Sequence, residues 1–138
     1  MAADLGRVMA LAEQYYPKKK FNHAMRVAAY AFEAAQHDDR VDINDAYAVA
    51  IAHDLIEDTE CPQEVLQEVI GYDLFSSVLI LTKSDLTSYE DYIKDVVFSG
   101  DYTAILVKRA DMKDHMTQTE TLTDKLRDKY LPVLHYFL

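Results

Sequence analysis

The sequence predicts an all-α fold, a compact helical bundle of about seven to eight helices, on three observations. Apolar residues recur at three- and four-residue intervals over nearly the whole length. Only three glycines and three prolines punctuate the 138 residues. No fixed-period repeat or low-complexity stretch is present, which excludes a solenoid or an extended linker. With half the residues apolar, one domain over residues 1–138 is expected, of a size that buries roughly 70% of its unfolded surface.

Taken in order, a first helix is expected from about Asp4 to Tyr16, stopped by Pro17. A second begins near Lys20 and carries His23, Val27, Tyr30 and Ala31 on one stripe. Asn44 or Asp45 can cap a third, which runs through Tyr47, Val49, Ile51, His53 and Leu55 to about Asp58. Pro62 suits the first turn of a fourth helix, and Gly71 closes it. A fifth covers Leu74 to Thr82. The pattern Thr87-x-x-Glu90 is a reciprocal cap for a sixth, and Ser99-Gly100-Asp101 separates that from a seventh running to about Met116. An eighth contains Pro132 and should kink or end there. Val78 to Leu81 and Ala104 to Val107 are short apolar runs that strands also show, but their flanks keep helical spacing.

Composition narrows the function. Cys61 is the single cysteine, so no intrachain disulfide can form and a reducing cytoplasm is expected. The N-terminal residues contain no apolar run of signal-peptide or membrane-spanning length, so the chain is expected in solution with no membrane partner. Fourteen basic against twenty-four acidic side chains give a net charge of −10, which disfavours duplex nucleic acid because phosphates meet repulsion. A local basic cluster can still serve a phosphorylated small molecule.

Chemistry concentrates in AHDLIEDTE. His53, Asp54, Glu57 and Asp58 fall at i, i+1, i+4 and i+5, which an unbroken helix gathers into one arc of about 140°. Val49, Ile51, Ala52, Leu55 and Ile56 cover the rest, so the segment has one core face and one acidic face holding an imidazole. By itself this is equally a solvated amphipathic surface. Asp111 adds weight, because Val107 and Ala104 precede it on a stripe that reads as buried. A buried unpaired carboxylate costs several kcal/mol, so a positive partner must meet it, either Lys108 or a bound cation. His23 lies in line with Val27 and Tyr30 and is either a hydrogen-bonded core residue or a ligand. Together, two imidazoles and two aspartates form a donor set that suits manganese, iron or zinc better than calcium. Glu57 and Asp58, one turn beyond, are then placed to orient or deprotonate an attacking water.

His23, His53-Asp54 and Asp111, in that order, resemble the H…HD…D signature of the HD-domain metal-dependent phosphohydrolases. More narrowly, HDLIEDTE is similar to the HDxxEDT motif of the RelA/SpoT hydrolase domains and stand-alone small alarmone hydrolases. LVKRAD is similar to their LVKLAD, and Thr82-Lys83 to a further TK element. The similarity covers about positions 20 to 118 and extends to the terminal KYLPVLHYF. It implies an HD helical fold that holds one manganese ion through His23, His53, Asp54 and Asp111, with Glu57 and Asp58 assisting the nucleophilic water. The implied reaction removes the 3′-pyrophosphate of (p)ppGpp; related metazoan enzymes also hydrolyse the 2′-phosphate of NADPH, so another phosphorylated-ribose nucleotide is open.

Departures from that group fall in the substrate shell. His115 stands where the group has Asn four residues after the last metal aspartate, and the lead-in PKKKFNH is shorter than the usual one. Lys18, Lys19 and Lys20 place three cations within five residues of His23. They form a solvated turn or, for Lys20 at least, reach substrate phosphates. Lys108 does likewise or neutralises Asp111, and His115 is the third candidate substrate residue. Tyr130 reads as core or as a base platform, His37 and His135 as incidental, and Cys61 has no partner that would make it a nucleophile. Two rival functions stay open: a nucleotide 5′-phosphomonoesterase of the same superfamily, and a non-catalytic module that binds nucleotide or a partner and uses metal as structure.

Overall fold

The structure, a computed structural model, describes residues 3–118 and 124–137. Asp4 caps α1 (Leu5–Tyr15) by accepting from the Arg7 N–H. Pro17 then sits as the N-cap of α2 (Lys18–Ala35), two residues earlier than the sequence suggests. Its fixed φ favours that entry position and supplies no amide that would need a partner.

The expected third helix is two segments. α3 (Ile43–Ala52) is capped by Asp42, whose carboxylate accepts from the Asp45 N–H at 3.0 Å, rather than by Asn44 or Asp45. Asp45 falls in the first turn, where its charge complements the helix dipole. The helix stops at His53, and Asp54 adopts φ −103°, ψ 1° before α4 (Leu55–Asp58) begins. Ala46, Ala48, Val49, Ala50, Ile51 and Ala52 are all buried, so α3 is apolar around its circumference and runs through the middle of the fold. The single amphipathic helix with one acidic face is thereby corrected: the acidic residues lie at and beyond the break.

α5 (Gln63–Ile70) follows Pro62 and ends at Gly71, whose φ of +89° only glycine adopts without strain. α6 spans Tyr72–Leu81. Ser88, not Thr87, caps α7 (Tyr89–Phe98) by accepting from the Asp91 N–H at 3.1 Å. Thr87 is drawn into a turn through its N–H to Ser84 O, and Glu90 accepts from the Tyr136 hydroxyl at 2.7 Å instead of reaching back. Asp101 caps α8 (Tyr102–Thr117) and also accepts from the Ser77 hydroxyl, tying α8 to α6. α9 (Asp124–Tyr130) gives way to a 3-10 helix over Leu131–Phe137, so the path changes where Pro132 predicts it.

Both apolar runs that strands also show are helical, and no strand occurs among the described residues. No helix among them is long and apolar enough to cross a membrane. α2 packs most extensively against α3 and α8. Ala24, Ala28 and Ala31 on α2 let the backbones approach closely, and Val27, Val49, Ile51 and Val107 fill the space between at full burial. That three-helix layer brings His23, His53 and Asp111 to one end of the core.

Candidate metal centre

The break after α3 is what turns His53 and Asp54 toward a common point. Tyr16, buried at the end of α1, spans the break: its hydroxyl donates to Ile51 O at 2.7 Å and accepts from the Asp54 N–H at 3.2 Å. Backbone groups freed by the end of the helix therefore keep partners in a dry environment. Asp54 can then hold its near-bridge dihedrals, a region where active-site residues are often found.

The two imidazoles are each held by their Nδ1. His53 donates from Nδ1 to Ala50 O at 2.6 Å, because a carbonyl can only accept. Asp114 Oδ2 meets His23 Nδ1 at 2.6 Å, and Asp114 is in turn gripped by Arg26 through Nε at 2.7 Å and Nη2 at 3.1 Å. Both Nε2 atoms are thereby aimed inward. His23 Nε2 lies 2.8 Å from Asp111 Oδ1 and 3.9 Å from Asp54 Oδ2. His53 Nε2 lies 3.2 Å from Asp54 Oδ2 and 3.4 Å from Asp111 Oδ1.

One donor atom from each of His23, His53, Asp54 and Asp111 comes within 4.8 Å of the others. His53 Nε2 is buried yet meets no partner along a hydrogen-bond direction. A buried imidazole nitrogen without a hydrogen-bond partner, facing two carboxylates, is an arrangement that a divalent cation satisfies by taking the place of a proton. The nitrogen and oxygen donors fit such an ion, and the outer hydrogen bonds from Ala50 and Asp114 are of the kind that orient metal-bound imidazoles.

Charge in the cluster is balanced by its own members. Burial raises Asp111's carboxyl, but Lys108, at 2.8 Å, together with His115, His23 and His53, holds it well below the usual carboxylate range. Burial would strip Lys108 of its proton, and the field of Asp111 overrides this and keeps the ammonium well above its ordinary value. For His53, too, burial opposes the charged form, while Asp54 and Asp111 prevail and raise it well above 6.5.

The other expected site residues surround this core. Glu57 is lifted above the usual range by burial, the Lys83 N–H that it accepts at 2.6 Å pulls it back, and Asp54 and Asp58 push it up again. Oxygens of Asp54, Glu57 and Asp58 also come within 4.8 Å of one another. Lys20 is paired with Asp58 at 2.9 Å. His115 lies 3.3 Å from Asp111 and stacks on buried Tyr130, with ring planes 17° apart at 5.4 Å. A cleft of about 240 Å³ joins these groups, and Lys83, Lys129 and Tyr89 complete its rim. Cys61 is buried and free.

Sequence reasoning missed Asp114, Arg26 and Tyr16. Asp114 is three residues past Asp111 and Arg26 three past His23, so helical spacing carried both signals. Tyr16 carried none, because its partners are 35 and 38 positions away.

No curated protein matches the chain. The family model described as the HD domain matches residues 21–116. That span is well over half of the chain and encloses all four converging side chains, and with it the chain belongs to the HD-domain family of metal-dependent phosphohydrolases.

Proposed function

We propose that His23, His53, Asp54 and Asp111 hold one divalent cation, manganese ahead of iron or zinc, and that the chain removes the 3′-pyrophosphate of (p)ppGpp or a related phosphorylated-ribose nucleotide. The observation that carries the metal assignment is the buried, partnerless Nε2 of His53 facing Asp54 and Asp111. Bound there, the cation supplies Lewis acidity toward a phosphoryl oxygen and makes water more acidic.

The chain's own residues do the rest. Asp114 and Ala50 O hold the imidazoles so that neither ring must reorganise. Glu57 spends Oε1 on the Lys83 N–H, which leaves Oε2 to take a proton from the attacking water, and the upward shift that burial gives its carboxyl makes it a stronger base for that transfer. Asp58 orients the same water and keeps Lys20 at the cleft edge. Lys20, Lys83 and Lys129 surround the mouth with cations in an otherwise acidic chain, which supports a substrate with more than one phosphate. Lys108 acts first by neutralising Asp111 and stands behind the substrate's phosphates as a second-rank contact.

The HDLIEDTE and LVKRAD segments and the Thr82-Lys83 pair support the alarmone branch. A 5′-phosphomonoesterase is the second reading, favoured by His115, which presents a ring stacked on Tyr130 where the resemblance would have an amide. Incubating the manganese-loaded protein with ppGpp, dAMP and NADPH separates the two. Pyrophosphate from ppGpp, lost in Glu57→Gln with metal content unchanged, is the expected result. Phosphate from dAMP alone would establish the second reading, and no turnover of any substrate by fully metal-loaded protein would leave a binding module.

A further inference from the structure

We propose that a cleft on the face of α8 turned away from the metal centre is a second ligand site, for a small organic phosphate with a planar apolar body, of the nucleotide class. The cleft encloses about 510 Å³, more than twice the metal-side cleft. It falls within the roughly 300–1,000 Å³ typical of small-molecule sites. It lies between the C-terminal half of α2, the loop that follows, and α8.

One helix serves both sites. Asp111, Asp114 and Lys108 turn inward to the metal cluster, whereas Tyr102, Ile105, Arg109 and Lys113 form a stripe on the other side at intervals of three and four. Arg109 and Asp111 are two positions apart, about 200° around the axis, so a ligand on Arg109 does not reach the metal donors.

The charges in this cleft are not explained by folding. Arg40 is accounted for: Asp38 accepts from its Nε at 3.0 Å and its Nη2 at 3.1 Å, and its guanidinium lies 4.3 Å above the Tyr102 ring. Asp38 is the single carboxylate lining the cleft, and that pairing uses both of its oxygens. Arg109 shares the field of Asp38 at longer range, behind Arg40, and Lys113 lies over the Tyr30 ring, 4.6 Å from its centre. Arg109 and Lys113 are i and i+4 on one exposed stripe, where like charges destabilise a helix by a few tenths of a kcal/mol. Arg40, Arg109 and Lys113 thus face one carboxylate, an excess of two positive charges that, in a chain of net charge −10, matches a ligand carrying at least two negative charges.

Beside the cations the floor is apolar, built from Ala34, Ile105, Leu106 and Ala110, with the Tyr30 and Tyr102 rings at its edges. Water on that floor gains little, and a flat heterocycle displaces it favourably while its phosphates reach Arg109 and Lys113.

The test uses the whole chain treated with EDTA, so that it does not depend on the proposed phosphohydrolase activity. ATP, inorganic pyrophosphate and adenosine are titrated calorimetrically, and amide shifts are mapped by NMR. ATP is expected to bind more tightly than either fragment, with shifts at Ala34, Arg40 and Arg109 rather than at Asp54 and Lys83. The exposed double substitution Arg109→Gln, Lys113→Gln should weaken ATP by about tenfold or more, while Lys83→Gln in the metal-side cleft changes it by less than about twofold. Shifts centred on Lys83, equal binding by the double variant, or absence of ATP binding would each overturn the proposal. Tight Arg109-dependent binding of single-stranded RNA without ATP binding would reassign the face to a macromolecule and overturn it too.

Discussion

Asp114 holds His23 by its Nδ1 at 2.6 Å, and Arg26 in turn holds Asp114 by two hydrogen bonds, a chain that starts from a half-buried guanidinium and ends on an imidazole 7% exposed. The proton on Nδ1 and the ring's orientation are settled before any cation arrives. Asp114→Asn keeps the shape but replaces the charged acceptor, and metal affinity is expected to fall about 10–100-fold. Competition with a chelating dye measures it, and Arg26→Met should produce a smaller loss in the same direction.

The charge state of His53 makes pH act in opposite directions on the metal-free and metal-bound protein. Without metal its folded pKa lies well above the unfolded value of 6.5, because Asp54 and Asp111 outweigh burial. Its stabilisation is therefore fully present below pH 6.5 and is lost as pH rises through the higher folded value. Asp111 is depressed, so its contribution is present above 3.8 and fades as pH falls through its lower folded value. Melting temperature of the EDTA-treated protein should decline on the alkaline side of 6.5, whereas metal affinity should climb there because the cation needs the Nε2 lone pair. Calorimetry in buffers of different ionisation enthalpy counts the released proton.

Lys108 and a cation both neutralise Asp111, so they should substitute for each other. Lys108→Met leaves a buried carboxylate facing no ammonium and should cost about 3–5 kcal/mol in chelator. Saturating manganese should narrow that gap, as read from urea midpoints with and without metal. An equal penalty in both conditions would show that Lys108 does something other than balance this charge.

Tyr16→Phe removes one oxygen and leaves two backbone groups at the α3–α4 break without their partner. The expected cost is about 1–3 kcal/mol. That corresponds to a melting-temperature drop of roughly 3–10 °C for a chain of this size. Since Asp54 loses its tether, metal affinity should fall as well, though Tyr16 touches no ligand oxygen.

Local chemistry wrote most of the elements into the sequence. Helical spacing, Pro17, Pro62, Gly71 and the Ser99-Gly100-Asp101 separator act within a turn of their own positions, and they placed the helices to within a few residues, while the capping roles of Asp4 and Asp101 emerged from the structure. The composition of the His53–Asp58 segment and the buried stripe carrying Asp111 likewise announced a cluster needing positive charge. What local rules could not supply was the interruption of α3, since AVAIAHDLIED has every property of one continuous helix. The interruption exists because Tyr16, 38 positions earlier, satisfies Asp54's N–H. Nor could spacing decide between two acceptable partners for one group. Lys20 reached Asp58, Lys108 reached Asp111, and Asp114 rather than water met His23, once the packing of α2 on α3 and α8 had set which side chains share a dry space. Residue types and spacing determined which groups were available to a metal. Their direction was decided by hydrogen bonds across the core, because a buried polar group is oriented by the partner it finds there.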